Sequence, residues 1–232
     1  MSGSRDQIFG GLRRSLKVSG EDGERRAAVE RRLSQHARAI IPGRSQGEAA
    51  ALVALFKEKA GAVQTSIAEV AALEEVPEAV ADFLREHNQP ARVKVSPSAD
   101  MKALDWQGST LLEAAFGKAE ESDPVSVTRA LAGVAETGTL ALISGEEHAT
   151  TLNFLPETNV VVLRRSEIVG PYEDVWDRLR ERFGEGVMPR TVNFITGPSR
   201  TGDIEQKILL GAHGPKRLHV ILVGDDGPDG QA

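Results

Sequence analysis

Short apolar runs, most of them rich in valine, leucine or isoleucine, constrain the fold of this chain more than any other feature. They occupy residues 159–163, 192–196 and 218–223, a further strand is predicted at 91–95, and helical patterns lie between several of these segments. A strand that is apolar at nearly every position is buried on both faces, as strands of a helix-covered parallel sheet are. The alternation therefore predicts an α/β fold with a mostly parallel, mixed sheet flanked by helices.

Three stretches have the periodicity of amphipathic helices, namely residues 47–60, 76–86 and 172–184. Pro77 suits the first turn of the second helix, and Gly184 ends the third. Such helices would cover the two faces of the predicted sheet.

Residues 125–144 predict a short helix followed by two strands, 131–135 and 139–143. A turn of sequence Glu136-Thr137-Gly138 lies between the two apolar runs. Small residues and a glycine between such runs favour a β-hairpin.

The stretch 196–215 reads as a loop, a short helix and a second loop between the runs 192–196 and 218–223. This order predicts a crossover between two parallel strands. Loops at the carboxyl ends of such strands are where ligands bind in open α/β sheets. The stretch therefore marks the expected position of a ligand site.

Composition narrows the class of protein further. The chain has 232 residues, 40% of them hydrophobic, no cysteine and a formal net charge of −6. Without cysteine it forms no disulfide and supplies no thiolate to a metal or an iron–sulfur cluster. The negative charge argues against nucleic acid as an obligatory partner. No run of about 18 apolar residues and no secretory signal is present, so we expect a soluble, cytoplasmic protein without a membrane span.

The predicted organisation has three parts. Residues 1–44 form an N-terminal helical arm with too few apolar residues for a core of its own, residues 45–224 form the α/β domain, and residues 225–232 form a disordered tail. Arginines in the arm alternate with glutamates, which is typical of a solvated helix face and also suits an acidic partner.

Two stretches carry a resemblance to a known family: residues 135–140, Ala-Glu-Thr-Gly-Thr-Leu, and residues 196–215, with Gly-Pro-Ser-Arg-Thr-Gly-Asp-Ile-Glu and Gly-Ala-His-Gly-Pro. In this order and separation they resemble the lactate-utilisation protein C family, which is built on the LUD domain. The resemblance implies a fold related to ribose-5-phosphate isomerase, glucosamine-phosphate deaminase and the CoA-transferases. It also implies a part in L-lactate oxidation to pyruvate, with iron–sulfur partner subunits and no cofactor in this chain.

The candidate catalytic residues are Glu136, Glu205 and His213. Glu136 beside a flexible glycine can serve as a base or nucleophile, or it can hydrogen-bond the turn. His213 between glycines can move a proton or hold a carboxylate, or it can cap the preceding helix. Glu205 can act in the site or lie on a solvated helix face.

The candidate ligand-binding residues come from the same two stretches. Asp203 has a structural alternative as an N-cap, with Gln206 three residues on. Backbone amides, hydroxyls and a guanidinium around it suit a carboxylate or phosphate. The full predicted set is Thr137, Gly138, Thr139, Gly197, Ser199, Arg200, Thr201, Asp203 and Gly214.

No metal site is predicted, because the other histidines are scattered without a paired ligand. The first functional hypothesis is a component of a multi-protein system that oxidises L-lactate. In it, the turn at Glu136–Thr139 and the stretch from Gly197 to His213 line one pocket for a small carboxylate or a nucleotide-like ligand. The alternatives are a stand-alone isomerase or transferase acting on a phosphorylated or CoA-linked small molecule, and a non-catalytic assembly subunit that docks through its arm.

Overall fold

The computed structural model describes residues 3–19, 21–108, 112–204 and 207–224, with the backbone alone at 203, 204 and 207–209. The chain divides into two compact units, Met1–Ile40 and Ile41–Ala232. The predicted disordered tail, 225–232, lies outside the described residues.

The first unit contains two helices, α1 (Ser4–Leu16) and α2 (Gly23–Gln35). Asp22 caps α2, because its side chain accepts a hydrogen bond from the Arg25 amide at 3.0 Å. Neither helix has a buried residue, as expected for a segment with few apolar side chains.

The helices of the second unit are α3 (Ala49–Ala62), α4 (Val76–Glu86), α5 (Ala99–Lys102), α6 (Thr151–Phe154) and α7 (Tyr172–Phe183). The predicted bounds of α4 are confirmed, with Pro77 in its first turn. The helices predicted at 47–60 and 172–184 are confirmed as α3 and α7, and Gly184 is the residue that follows α7.

The main sheet has six parallel strands in the spatial order β1-β12-β7-β4-β2-β3. Their bounds are β1 (Ser66–Val70), β2 (Arg92–Val95), β3 (Glu113–Phe116), β4 (Val125–Arg129), β7 (Thr158–Arg164) and β12 (Arg217–Val223). The predicted α/β architecture is confirmed. One face buries α4 and α5 residues such as Leu84 and Met101, and the other buries α3 through Phe56.

A second sheet has four strands in the order β8-β5-β6-β9. Its strands are β5 (Ala132–Val134), β6 (Thr139–Ile143), β8 (Ile168–Val169) and β9 (Val192–Ile195). Val175 and Leu179 of α7 pack against it in a third apolar cluster. The predicted hairpin at Glu136-Thr137-Gly138 is confirmed, since β5 and β6 pair antiparallel on either side of it.

Three predictions of local structure are wrong. Residues 125–129 form the buried strand β4 rather than a helix. Residues 200–210 form an antiparallel hairpin, β10 (Arg200–Ile204) and β11 (Lys207–Leu210), where a helix is predicted. The segments 192–195 and 217–223 are not neighbours in one sheet, because β9 pairs with β6 and β12 lies between β1 and β7. The crossover between parallel strands is therefore replaced by a passage from one sheet to the other.

Candidate functional site

A cavity of about 410 Å³ lies where the chain passes from β9 to β12. Asn153 and Phe154, just before β7, and Pro215, just before β12, contribute to its wall. With respect to the six-stranded sheet, the cavity is therefore at the amino ends of the strands. It follows the carboxyl end of β9, but β9 pairs antiparallel with β6, so the rule for ligand positions in parallel sheets does not account for this cavity.

Two loops of the predicted site form one side of this cavity. The Ser199 amide donates to the Pro215 carbonyl at 2.8 Å, and the Gly211 amide donates to the Ser199 carbonyl at 2.9 Å. These bonds bring the predicted residues Gly197, Ser199, Arg200, His213 and Gly214 together as lining residues.

Hydrogen-bond donors dominate the polar part of the lining. Arg200 and His213 are exposed to solvent at the cavity, and Thr196 and Ser199 add hydroxyl groups. The Arg200 Nη2 donates to the Val63 carbonyl at 2.9 Å, which leaves the rest of its guanidinium able to bind an anion. Among the described residues that line the cavity there is no carboxylate. The cavity therefore suits a small anionic ligand, and its volume lies in the range of small-molecule sites, roughly 300–1,000 Å³.

The predicted turn at Glu136 adjoins this cavity without lining it. A cluster of four hydroxyl groups connects the turn to the cavity wall: Thr139 Oγ1 lies 2.7 Å from Thr137 Oγ1, 2.9 Å from Tyr172 Oη and 2.7 Å from Thr196 Oγ1. Thr139 is fully buried, so this cluster holds the end of β9 beside the hairpin. Thr137, Gly138 and Thr139 thus support the wall rather than face the ligand space.

Glu136 points to a different neighbour. Its Oε1 lies 3.6 Å from the Arg44 Nη2, and its side chain is 15% exposed. Its backbone amide donates to the Gly170 carbonyl at 3.1 Å. The structure therefore does not bring Glu136 and His213 into the same cavity.

The glycines of the two stretches pack against the end of α3. Gly138 has φ +68°, and a Cβ there would overlap the backbone of Lys59 and Ala60. Gly197 has φ +75°, and a Cβ there would overlap the Val63 carbonyl. Both positions need glycine, because the backbone conformation is left-handed and the helix end leaves no space for a side chain.

The remaining predicted residues belong to the β10–β11 hairpin. Thr201 is half-buried in β10. Asp203 is also in β10, so its predicted role as a helix N-cap is wrong, and its side chain is outside the described part. Glu205 lies outside the described residues altogether.

A second polar cavity, of about 350 Å³, lies at the carboxyl ends of the strands of the main sheet. It was not predicted from the sequence. Arg129, the last residue of β4, donates to Asp100 Oδ2 and, at 2.5 Å, to Glu167 Oε1. Asp100 follows β2 and Glu167 follows β7, so this ion-pair cluster joins the carboxyl ends of three neighbouring strands. The sequence does contain a signal for this cavity. A charged residue lies at or shortly after the end of each of the three strands, and strand ends of a parallel sheet are where sites form.

The charges of this cluster reinforce one another. Burial would raise the pKa of Asp100, yet neighbouring Ser98 and the Arg129 guanidinium outweigh it and hold that pKa below its ordinary value. Burial would lower the pKa of Arg129, but Glu167 and Asp100 raise it. Burial and the charge of Arg182 lower the pKa of nearby His148, so its imidazole is neutral at pH 7. Because both carboxylates are already bound by Arg129, the cluster's first role is to tie the strand ends together.

The described residues lack a metal-binding cluster and a membrane-spanning helix. They contain no group of three or more His, Asp or Glu side chains placed to hold a metal ion. Nor do they include a helix long and apolar enough to cross a bilayer.

Comparison with known proteins finds relatives for the second unit. A model of the LUD domain family matches residues 53–223. Lactate utilization protein C of Bacillus subtilis is 33% identical over 130 residues, which is 56% of this chain and 53% of that protein. The protein of the same name from Geobacillus sp. WCH70 is 36% identical over 106 residues, 45% of this chain and 44% of that protein. The matched stretch thus spans about half the length of these relatives.

A solved structure shares the fold. The crystal structure of a DUF162 family protein from Deinococcus radiodurans superposes with a TM-score of 0.58 at 22% identity and covers 77% of this chain and all of that one.

Proposed function

This chain belongs to the LUD domain family, and on that premise we propose that it takes part in lactate utilisation by binding a small 2-hydroxy or 2-keto carboxylate in the 410 Å³ cavity. The observation that supports this most is the lining itself: the second family stretch supplies Arg200 and His213, and no described lining residue is acidic. A carboxylate placed there meets two cationic or donor groups and no like charge.

Each polar residue has a distinct role in the proposal. Arg200 binds the carboxylate, with Ser199 and Thr196 donating hydroxyl hydrogen bonds beside it. His213 is exposed on a loop between glycines, and its imidazole accepts the proton of the 2-hydroxyl group. Glu136 is assigned no contact with the ligand, because it pairs with Arg44 outside the cavity.

Lactate oxidation needs an electron acceptor in addition to a binding site for the organic acid. Oxidation of L-lactate to pyruvate releases two electrons and two protons. Iron–sulfur clusters are held by cysteine thiolates, and this chain has none. We therefore assign the electron-carrying clusters to partner subunits, with this chain binding the organic acid. His213 takes the hydroxyl proton, the C2 hydrogen leaves as a second proton to solvent, and both electrons pass to those clusters.

Titration calorimetry tests the ligand. We expect L-lactate and pyruvate to bind the full chain, and the neutral isostere lactamide to bind at least about tenfold more weakly, because a charged hydrogen bond to Arg200 is lost. Arg200→Ala and His213→Ala should weaken lactate binding. Arg85→Ala, which removes an arginine exposed on α4, is the matched control and should leave it unchanged.

A second assay separates the rival functions. Co-purification with the partner subunits should give lactate-dependent dye reduction that disappears with Arg200→Ala. Turnover of a phosphorylated or CoA-linked substrate by the purified chain alone would instead favour the isomerase or transferase alternative. Full dye reduction by the Arg200→Ala and His213→Ala variants would show that the chain serves assembly rather than ligand binding.

A further inference from the structure

An acidic groove runs along β1 and shares no lining residue with the proposed lactate cavity. All five residues of β1 line it, together with side chains of α4 and the turn before it. Its volume is about 1,150 Å³, which is more than twice that of the proposed lactate cavity. In the part of the chain that the structure describes, β1 is an edge strand, paired with β12 alone.

The groove is strongly negative. Seven of its lining residues are acidic and no lysine or arginine lines it: Glu69, Glu74, Glu75, Glu78, Asp82, Glu86 and Asp105. Glu78, Asp82 and Glu86 follow one another at intervals of four on α4, where like charges destabilise a helix. Nearby cations neutralise only part of the charge, since Lys57 and Arg165 pair with Glu69, and Arg85 pairs with Asp82.

A buried imidazole in the groove has an unused hydrogen-bonding atom. His219, on β12, is 4% exposed and lines the groove. Its Nδ1 lies 2.8 Å from Ser66 Oγ, and its ring stacks on Phe83 at 3.9 Å between centroids. Its Nε2 is buried and has no partner among the described residues. A buried polar atom without a partner is costly, and a ligand that enters the groove can supply that partner.

We propose that this groove binds an extended, lysine- or arginine-rich segment of a partner protein, which adds a strand to the free edge of β1. Main-chain hydrogen bonds to β1 give such a segment its register, as in other cases of strand addition to a sheet edge. Alternate side chains of the segment then face α4 and the turn before it, where the carboxylates of Glu78 and Glu86 on the helix and Glu74 in the turn neutralise them. A polar group of the segment also gives the buried Nε2 of His219 a hydrogen-bond partner.

The binding test uses the full chain and a fluorescent eight-residue peptide that alternates lysine with valine. Anisotropy should show saturable binding that weakens as salt rises, and the matched glutamate–valine peptide should not bind. The triple variant Glu74→Gln/Glu78→Gln/Glu86→Gln should lose about tenfold or more in affinity, since three ion pairs are removed. It leaves Glu75 and Asp82, which make structural contacts, in place.

The control removes the same charge at the other edge of the sheet. Glu113→Gln/Glu120→Gln/Glu121→Gln changes three exposed glutamates in and after β3 and should alter affinity less than twofold. An equal loss in both triple variants would mean that the peptide senses only net charge, which overturns the proposal.

Amide hydrogen exchange tests the strand addition itself. Bound peptide should slow exchange in Ser66–Val70 and leave the opposite edge strand, Glu113–Phe116, unchanged. Binding without protection of β1 overturns the proposal, and so does binding of spermine with no binding of the peptide, which would make the groove a site for free polyamines. Because none of these readouts uses lactate, they are independent of the proposed function.

Discussion

Replacing Arg129 by methionine should destabilise the protein more than any other single charge removal described above. Methionine fills much of the space of the arginine stem but leaves Asp100 and Glu167 without their shared cation. Removing one partner of a buried ion pair costs about 3–5 kcal/mol. The three side chains retain 17%, 29% and 22% exposure, so water recovers part of this, and we expect a loss of about 2–3 kcal/mol.

Thermal and urea unfolding measure this loss. At about 2–4 °C per kcal/mol for a chain of this size, the melting temperature should fall by roughly 4–12 °C. Arg85→Met is the matched control, because the Arg85–Asp82 pair is 75% and 58% exposed and should contribute less than about 0.5 kcal/mol. If Arg129→Met were as mild as Arg85→Met, the assignment of Arg129 as the tie between three strand ends would be refuted.

The same variant has a pH signature. The pKa of Asp100 is lowered in the folded protein, so its contribution to stability is present above the ordinary carboxyl pKa and is lost as pH falls through the folded value. Removing Arg129 abolishes the ion pair at all pH values. The difference in stability between wild type and Arg129→Met should therefore shrink as pH falls below about 4.

Three further outcomes follow from buried or strained positions. Gly138→Ala should cost about 3 kcal/mol in chemical unfolding, because φ is +68° and α3 backbone occupies the Cβ position, whereas Gly186→Ala, with φ +73° and open space, should cost about 1 kcal/mol. His219→Phe should flatten the dependence of stability on pH between about 4 and 6.5. Burial, with a smaller effect of His87, lowers the pKa of His219 to about 4, so the unfolded chain takes up the proton first and wild-type stability falls as pH drops through this range. Tyr172→Phe should cost about 1–2 kcal/mol in thermal unfolding, because Thr137 and Thr139 lose a shared hydroxyl partner; an unchanged melting temperature would contradict the role given to that cluster.

Two elements could be predicted from local sequence patterns alone, the helix α4 and the β5–β6 hairpin. Pro77 and the apolar stripe of α4 predict its bounds, and the small residues around Gly138 predict the β5–β6 hairpin. The helix predicted at β4 is wrong because the apolar–polar alternation of Val-Ser-Val-Thr covers only four residues, which is too short to identify a strand. The β10–β11 hairpin was mistaken for a helix for a similar reason, since its spacing of apolar residues fits either element.

The site was harder to predict than the fold, because its contacts join distant parts of the chain. The loops at Ser199 and Pro215 could be placed together from their sequence proximity, and the structure brings them into hydrogen-bonding distance. The ion pairs of Arg129 span 29 and 38 positions and depend on the spatial order of β2, β4 and β7. Strand order is decided by packing of the whole sheet, which no local pattern records.

The two stretches that carry the family resemblance, residues 135–140 and 196–215, both pack against the end of α3. Gly138 precedes β6 and Gly197 follows its neighbour β9 in the four-stranded sheet. Gly138 packs against the last turn of α3, Gly197 packs against Val63 just beyond it, and Arg200 donates to the Val63 carbonyl. These two glycines therefore belong to the family stretches in part for a packing reason: a side chain at either position would prevent the two turns from approaching the end of α3. Relatives that keep those glycines but change Arg200 or His213 would then share this architecture while differing in what they bind.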